Sequence, residues 1–186
     1  QAIGADSLGY VSVEEMVAAT LDAQCRDGVT VMHDRARPRS RANIDHLVIA
    51  PTGVWVVDTK RYPGRRVRVR RPLFGEARLT IDGRDRTKLV QGLSSQMADV
   101  AAVVGQALPA APVHGAFCFV DAHLPLLGVP TIDGHLLLHR RSLVRHLNAD
   151  GPLSSTDARS LTDTLAAAFP PTRGQRQSWP ATGRHA

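Results

Sequence analysis

Apolar residues follow two different periodicities along the chain, in blocks separated by short polar segments. Apolar side chains recur every three or four positions in residues 12–28 and 87–108, which predicts two amphipathic helices. Apolar runs or strict alternation predict strands at residues 29–34, 43–50, 53–60, 65–71, 76–83, 113–120 and 134–139. Residues 141–147 and 155–169 predict closing helices. This order is typical of an α/β fold in which helices pack against a sheet.

Two consecutive apolar strands flank the turn sequence Pro-Thr-Gly and predict a β-hairpin that carries an aspartate in each arm. A two-residue loop pairs Ala50 with Gly53, and the same register places Asp45 opposite Asp58. A three-residue loop shifts this pairing by one position. Because directly opposed Cβ atoms lie about 4.5–5.5 Å apart, the two carboxylates would repel each other without a cation between them.

A hard divalent cation would remove this conflict, and Mg²⁺ or Mn²⁺ is therefore the expected cofactor. Mg²⁺ prefers one or two protein carboxylates together with waters and phosphate oxygens. Lys60 follows Asp58 by two positions and so projects from the same strand face. Its ammonium is suited to hold a phosphate oxygen or to orient an attacking water. The hairpin thus predicts a metal-dependent site for phosphate chemistry.

The first helix offers a third metal ligand. Glu14 falls on the same helical stripe as Val17 and Leu21, whereas Glu15 falls toward Asp22 and solvent. A carboxylate on an apolar face is costly without a partner, and a nearby metal ion would relieve this cost. We therefore expect Glu14 to join Asp45 as a ligand.

The charge of the chain favours an anionic partner. The net charge is +6 and the pI is about 10.3. Residues 35–71 contain eleven Lys or Arg but only two acids, which are the hairpin aspartates. Arginine alternates with valine in residues 65–71, so one strand face is wholly basic. This face is either a solvated edge defended by charge or a surface that tracks phosphates. The predicted nucleic-acid-binding residues are Arg61, Arg66, Arg68 and Arg70.

Several function classes are disfavoured by composition. No apolar run approaches the roughly 20 residues that span a bilayer, and no signal peptide is visible, so we expect a cytoplasmic protein without a membrane partner. Two cysteines are too few for a disulfide framework. His135 and His139 lie in a strand and its turn without a cysteine pair nearby, which disfavours zinc. His33 and His46 are interpreted as structural residues.

The expected organisation is one domain at residues 1–169 followed by a disordered basic tail at residues 170–186, which is rich in Pro, Gly, Arg and Gln. The first residue is Gln rather than Met, which leaves room for additional domains in a longer protein. The sequence carries no signal for a particular oligomeric state.

Several segments, in this order, resemble the nuclease-related domain called NERD: EEMVAATL, VTVMHD, NIDHLVIAPTGVWVVDTKRYPG, QGLSSQ and AFCFVDAHLP. The resemblance covers roughly residues 12–147. That family is similar to the PD-(D/E)XK endonuclease superfamily. The resemblance implies a restriction-endonuclease-like core, in which helices flank a central mixed β-sheet.

The resemblance also implies roles for individual residues. Asp45 matches the acid of the first strand, and residues 58–60 match the acid-x-Lys motif. The helix acid matches Glu14, with Glu15 as the alternative because Val13 stands where the family usually has glycine. The family's helix glutamine falls at Gln91. The implied function is a metal-dependent nuclease that acts on nucleic acid, and DNA is the preferred candidate substrate over RNA. The alternative is a binding or partner-docking module that keeps the fold without turnover.

Overall fold

The computed structural model describes residues 11–172. The helices in this range are α1 (Val13–Gln24), α2 (Thr87–Ala107), α3 (Arg140–Leu147) and α4 (Ser155–Ala168). The strands are β1 (Thr30–Ala36), β2 (Asn43–Ala50), β3 (Gly53–Arg61), β4 (Val67–Arg70), β5 (Arg78–Ile81), β6 (Arg84–Asp85), β7 (Val113–Val120), β8 (Thr131–Ile132) and β9 (His135–Leu138). No helix in the described range is long and apolar enough to cross a membrane.

A mixed six-stranded sheet forms the centre of the domain, in the order β1-β2-β3-β7-β9-β8. The pairs β1–β2, β2–β3 and β8–β9 are antiparallel, whereas β7 pairs in parallel with β3 and with β9. The continuous apolar run of β7 is explained by this interior position, because both faces of the strand are covered. The predicted α/β fold with a central mixed sheet flanked by helices is confirmed.

Two apolar layers cover the sheet, one on each face. On one face, α2 and α4 enclose a core that includes Leu47, Val56 and Phe117. On the other face, α1 and α3 enclose a smaller core that includes Val48 and Cys118. Alternating residues of β2, β3 and β7 therefore enter opposite cores, as the two-residue period of a strand requires.

The hairpin between β2 and β3 has the register expected from a two-residue loop. Ala50 pairs with Gly53, and the last backbone pair at the open end joins His46 to Val57. Gly53 has φ of +134°, and a Cβ atom there would lie 2.6 Å from the carbonyl oxygen of Pro112. Only glycine fits this turn without strain, so the turn fixes which residues of the two strands face each other.

A separate three-stranded antiparallel sheet, β4-β5-β6, lies next to the ends of β3 and β7. An isolated bridge joins Arg66 to His123, just beyond β7. Val67 and Leu79 point into the α2/α4 core, whereas Arg66 and Arg68 are exposed on the opposite face. The alternation of Arg and Val therefore produces one buried face and one basic face, as predicted.

The first residues of the predicted tail pack against the main sheet. Pro171 forms a bridge with Arg35, and the backbone N–H of Ala36 donates to the carbonyl of Pro170. Thr172 bonds to both the backbone and the side chain of Asp34. Ordered structure thus continues past the predicted boundary at residue 169. Residues 173–186 lie outside the described residues.

Candidate active site

The first candidate ligand is Asp45 in β2. At this residue the regular alternation of side chains between the two faces of the sheet is interrupted. Ile44 belongs to the α2/α4 core, yet His46, two residues later, faces the α1 side and contacts His33. Asp34, on the neighbouring strand β1, has φ of +46°, and its flanking residues also project to opposite faces. This local twist leaves the Asp45 side chain directed toward β3.

The Asp45 carboxylate takes the place of a backbone acceptor. Its Oδ2 accepts a hydrogen bond of 2.8 Å from the backbone N–H of Thr59, beyond the last backbone pair of the hairpin. The strands β2 and β3 therefore separate here, and a side chain satisfies the donor that the ladder leaves open. An aspartate in an apolar strand thus has a structural role in addition to any chemical one.

Asp58 lies close to Asp45, at the position that continues the hairpin register one step past its last backbone pair. Asp58 is only 7% exposed, and the two side chains are close enough to share a hydrogen bond when one of them is protonated. Burial, followed by the charge of Asp58, raises the pKa of Asp45 to about 7. At neutral pH Asp45 is therefore partly protonated. A cation bound between the two carboxylates would favour the ionised form of both.

Lys60 forms an ion pair with Asp58, with 2.7 Å between Nζ and Oδ1. Both side chains are on the α2/α4 face, because Asp58 pairs with Phe117 and Lys60 with Phe119, and both phenylalanines belong to that core. The lysine ammonium also donates to the carbonyl of Thr59. The prediction that Asp58 and Lys60 share one strand face is therefore confirmed. The same contact would also be present if the two residues formed only a structural salt bridge.

Glu14 shares the helical stripe of Val17 and Leu21 but is not buried, so the expected burial of this carboxylate was wrong. Val17 and Leu21 are buried, whereas Glu14 is exposed in the first turn. Glu14 nevertheless lines a cavity of about 100 Å³ that Asp45 also lines. The side chain of Glu15 is used differently, since its Oε2 accepts a hydrogen bond of 2.7 Å from the backbone N–H of Ser12 in a capping box. The structure thus leaves Glu14 as the freer of the two acids.

The described residues contain no cluster of three or more His, Cys, Asp or Glu side chains arranged to hold a metal ion. Glu14 therefore does not complete a three-ligand site with the two aspartates. The pair Asp45 and Asp58 still fits Mg²⁺, because this ion needs few protein carboxylates and takes oxygen ligands. Burial and the neighbouring charge of Asp58 both raise the pKa of Asp45, and a positive charge between the two carboxylates would oppose this shift.

Gln91, the glutamine implied by the resemblance, is exposed on α2. It lines a cleft with residues 85–89, and no described contact links it to the two aspartates. Gln96, on the next turn and a half of the same helix, is instead buried, and its Oε1 has no hydrogen-bond partner among the described residues. It faces the same side of the sheet as Asp58. The sequence does contain a signal for the burial of Gln96, because this residue lies three positions after Leu93 and four before Val100, on the apolar stripe of the helix.

A chain of hydrogen bonds supports the strand that carries Asp58. The Asp22 carboxylate contacts His33 at 3.0 Å, and His33 contacts His46 at 2.8 Å. The second ring nitrogen of His46 lies 3.1 Å from the hydroxyl of Thr59, whose backbone N–H binds Asp45. Burial, with a smaller contribution from His33, lowers the pKa of His46 to about 3, so this ring is neutral at pH 7. The two histidines therefore have a structural role. Through the contact of His46 with the Thr59 hydroxyl they hold the residue that lies between Asp58 and Lys60.

Three arginines of the small sheet present free guanidinium groups. Arg66, Arg68 and Arg70 are exposed, and their guanidinium groups form no hydrogen bond or ion pair with another residue of the described range. Arg61 differs, because its Nε lies 2.9 Å from Asp121. Arg66, Arg68 and Arg70 therefore form the surface that we call the arginine face, while Arg61 forms an ion pair with Asp121.

Comparison with known proteins gives one match. The sequence model described as "Nuclease-related domain" matches residues 11–120, which contain both aspartates, Lys60 and the arginine face. No curated protein and no solved structure matches the chain. Because the match covers more than half of the chain, the protein belongs to the nuclease-related domain (NERD) family.

Proposed function

We propose that this domain is a metal-dependent phosphodiesterase that cuts nucleic acid, with DNA as the proposed substrate. The observation that carries the proposal is the pair of opposed carboxylates, Asp45 and Asp58, with Lys60 in contact at 2.7 Å. Family membership supports a nuclease-related role. The deciding experiment incubates the protein with labelled single-stranded, duplex and branched substrates in Mg²⁺, Mn²⁺ or EDTA. Cleavage that EDTA abolishes supports the proposal.

Each residue of the site has a separate task in this proposal. Asp45 and Asp58 would hold Mg²⁺ or Mn²⁺, with Glu14 in an outer position from the wall of the shared cavity. The bound ion would supply Lewis acidity and neutralise charge at the phosphate. The Lys60 ammonium, held at the end of β3, would orient the attacking water or bind a phosphate oxygen. The arginine face would hold the flanking phosphates and keep the strand in position.

A second candidate function is a nucleic-acid-binding or partner-docking module without turnover. The observation in its favour is that Lys60 already neutralises Asp58, so the fold could retain both residues as a salt bridge. The closeness of Asp45 to Asp58 favours the phosphodiesterase instead, because a salt bridge with Lys60 needs only one carboxylate. Absence of metal-dependent cleavage across the substrate panel would favour the binding module.

Metal binding is expected to depend on Asp58. Calorimetric titration of Mn²⁺ should detect binding to the unaltered protein and an affinity at least about tenfold lower for Asp58→Ala, because a direct ligand is lost. Asp82→Ala is the matched control, since Asp82 is exposed and pairs with Arg65 on the small sheet. Equal affinity in the unaltered protein and Asp58→Ala would place the metal elsewhere.

The arginine face is expected to bind phosphates without reading bases. Each phosphate contact releases counterions, so replacing Arg66, Arg68 and Arg70 by alanine should reduce the slope of log affinity against log salt by roughly 1 per arginine. A control that removes the same charge elsewhere replaces Arg141, Arg145 and Arg159, which are exposed on α3 and α4. If both triple variants change the slope equally, the attraction is a property of net charge and not of this face.

A further inference from the structure

Exposed large apolar side chains are concentrated in two loops beside the arginine face. Within the described residues, large hydrophobic side chains are exposed at six positions, and only Val11 lies outside these loops. The loop from β4 to β5 carries Leu73 and Phe74, which are 98% and 92% exposed. The loop from β7 to β8 carries Leu126 and Leu127, which are 100% and 92% exposed, and also Val129. Such grouping of apolar residues marks a binding surface.

Each loop forms one wall of a cleft whose other wall is arginine. The first cleft, of about 460 Å³, lies between Arg66 and Arg68 on one side and residues 123–127 on the other. The second, of about 890 Å³, is lined by residues 68–72, Phe74, Arg78 and Pro125. Arg68 and Pro125 line both, so the clefts adjoin along β4. Arginine and apolar side chains therefore both line each of the two adjoining clefts.

We propose that these two clefts bind unpaired bases of a nucleic-acid strand whose phosphates lie on the arginine face. This inference rests on the proposed function, which identifies the polymer as nucleic acid. It adds that the bound segment of this polymer is unpaired. A nucleic-acid strand alternates anionic phosphates with flat apolar bases, which matches arginines on one wall and apolar side chains on the other. Alternate residues of a strand are about 6.6 Å apart, so Arg66, Arg68 and Arg70 can contact successive phosphates.

Only unpaired bases can use such clefts. In a duplex the bases are stacked and paired, and their apolar faces are not available to a protein wall. In an unpaired segment each base can stack against an exposed side chain such as Phe74 or Leu127, and this contact tolerates any base. The expected substrate class is therefore single-stranded nucleic acid or a duplex with an unpaired segment.

An anionic membrane fits this surface less well. Membrane-binding elements gather their apolar groups on one face and place cations along the opposite or flanking side. Here Arg68 lines both clefts and lies between the two apolar loops. Apolar insertion into lipid would carry this guanidinium toward the hydrocarbon, which is costly. The arginines of β4 and the apolar side chains of the two loops are therefore interspersed and not separated onto two faces.

Fluorescence anisotropy in EDTA tests the proposal with three probes: a labelled DNA strand, its blunt duplex, and an abasic strand of equal length. The unaltered protein should bind the strand roughly tenfold more tightly than the duplex. The double variant Phe74→Ser, Leu127→Ser should lose about tenfold in affinity for the strand and little for the abasic strand. Val11→Ser, which alters an exposed apolar residue outside both loops, should change neither. All these side chains are exposed, so the midpoint of thermal unfolding should stay constant.

Equal loss of affinity on the normal and abasic strands would overturn the proposal, because the loops would then contribute without contacting bases. So would an unchanged affinity for the strand combined with weakened binding to phosphatidylserine-containing vesicles, which would identify a membrane surface. The measurement contains no divalent metal and needs no turnover. A protein that prefers the unpaired strand but never cleaves it contradicts the phosphodiesterase proposal and leaves this one standing.

Discussion

Lys60→Met is expected to lower the rate of phosphodiester cleavage by about 10²–10³ while leaving the affinity for nucleic acid nearly unchanged. Lys60 contacts Asp58 at the end of β3, and in the proposed mechanism its charge acts at the reacting phosphate. Attraction to the substrate comes instead from the many arginines between residues 35 and 71. A group that acts mainly in the transition state changes turnover more than binding. Single-turnover cleavage and anisotropy, measured on the same substrate, separate the two effects.

Lys88→Met is the matched control, because Lys88 is the only other lysine of the chain and is exposed in the first turn of α2. It removes the same charge and should leave cleavage unchanged. Cleavage that survives Lys60→Met would mean that the active site lies elsewhere. A loss of binding as large as the loss of rate would make Lys60 an ordinary attractive charge, as expected for a docking module.

Gly53→Ala is expected to lower the free energy of unfolding by about 3 kcal/mol. Gly53 has φ of +134°, which an alanine adopts only with strain, and the new Cβ would lie 2.6 Å from the carbonyl oxygen of Pro112. That oxygen accepts a hydrogen bond from the backbone N–H of Val54, so it cannot withdraw without loss. Urea denaturation followed by circular dichroism measures the effect.

The variant Gly83→Ala separates the two expected causes of destabilisation, which are backbone strain at a positive φ and crowding of the new Cβ atom. Gly83 also has a positive φ, of +78°, but a Cβ there would meet no atom within 4 Å. Its replacement should cost only the backbone strain, about 1 kcal/mol. If Gly53→Ala costs no more than Gly83→Ala, crowding at the hairpin turn is relieved by a small shift. In that case Gly53 does not fix the register that sets Asp45 opposite Asp58.

The hairpin was predictable because its determinants are local. A short turn with a glycine defines the register, and continuing this register one position past the pair His46–Val57 brings Asp45 and Asp58 together. The two-residue period then puts Lys60 beside Asp58, as the ion pair shows. The long helix and the interior strand β7 were predictable for the same reason, since apolar periodicity depends on neighbours in the chain. These elements account for three adjacent strands of the six-stranded sheet, β2, β3 and β7, and for the helix α2 that packs against it.

Residues whose position depends on contacts between distant elements were not predictable. Glu14 was expected to be buried, but this side chain, in the first turn of α1, is exposed. The buried Gln96 and the contact between His33 and His46 depend on how elements pack across the sheet. The change of face between Ile44 and His46 depends on the neighbouring strand. Sequence periodicity carries none of this information.

Residues 170–172 also affect how the domain can be shortened for experiments. β1 is an edge strand of the main sheet, and Pro170 and Pro171 occupy part of its otherwise open side. Ending the protein at residue 169, where the sequence places the domain boundary, would remove this cover and leave unpaired backbone groups at the edge. Open edges recruit strands of other molecules, so self-association is the expected result. Because Thr172 binds Asp34, which lines the cavity shared by Glu14 and Asp45, such a truncation would also disturb the wall of the candidate active site.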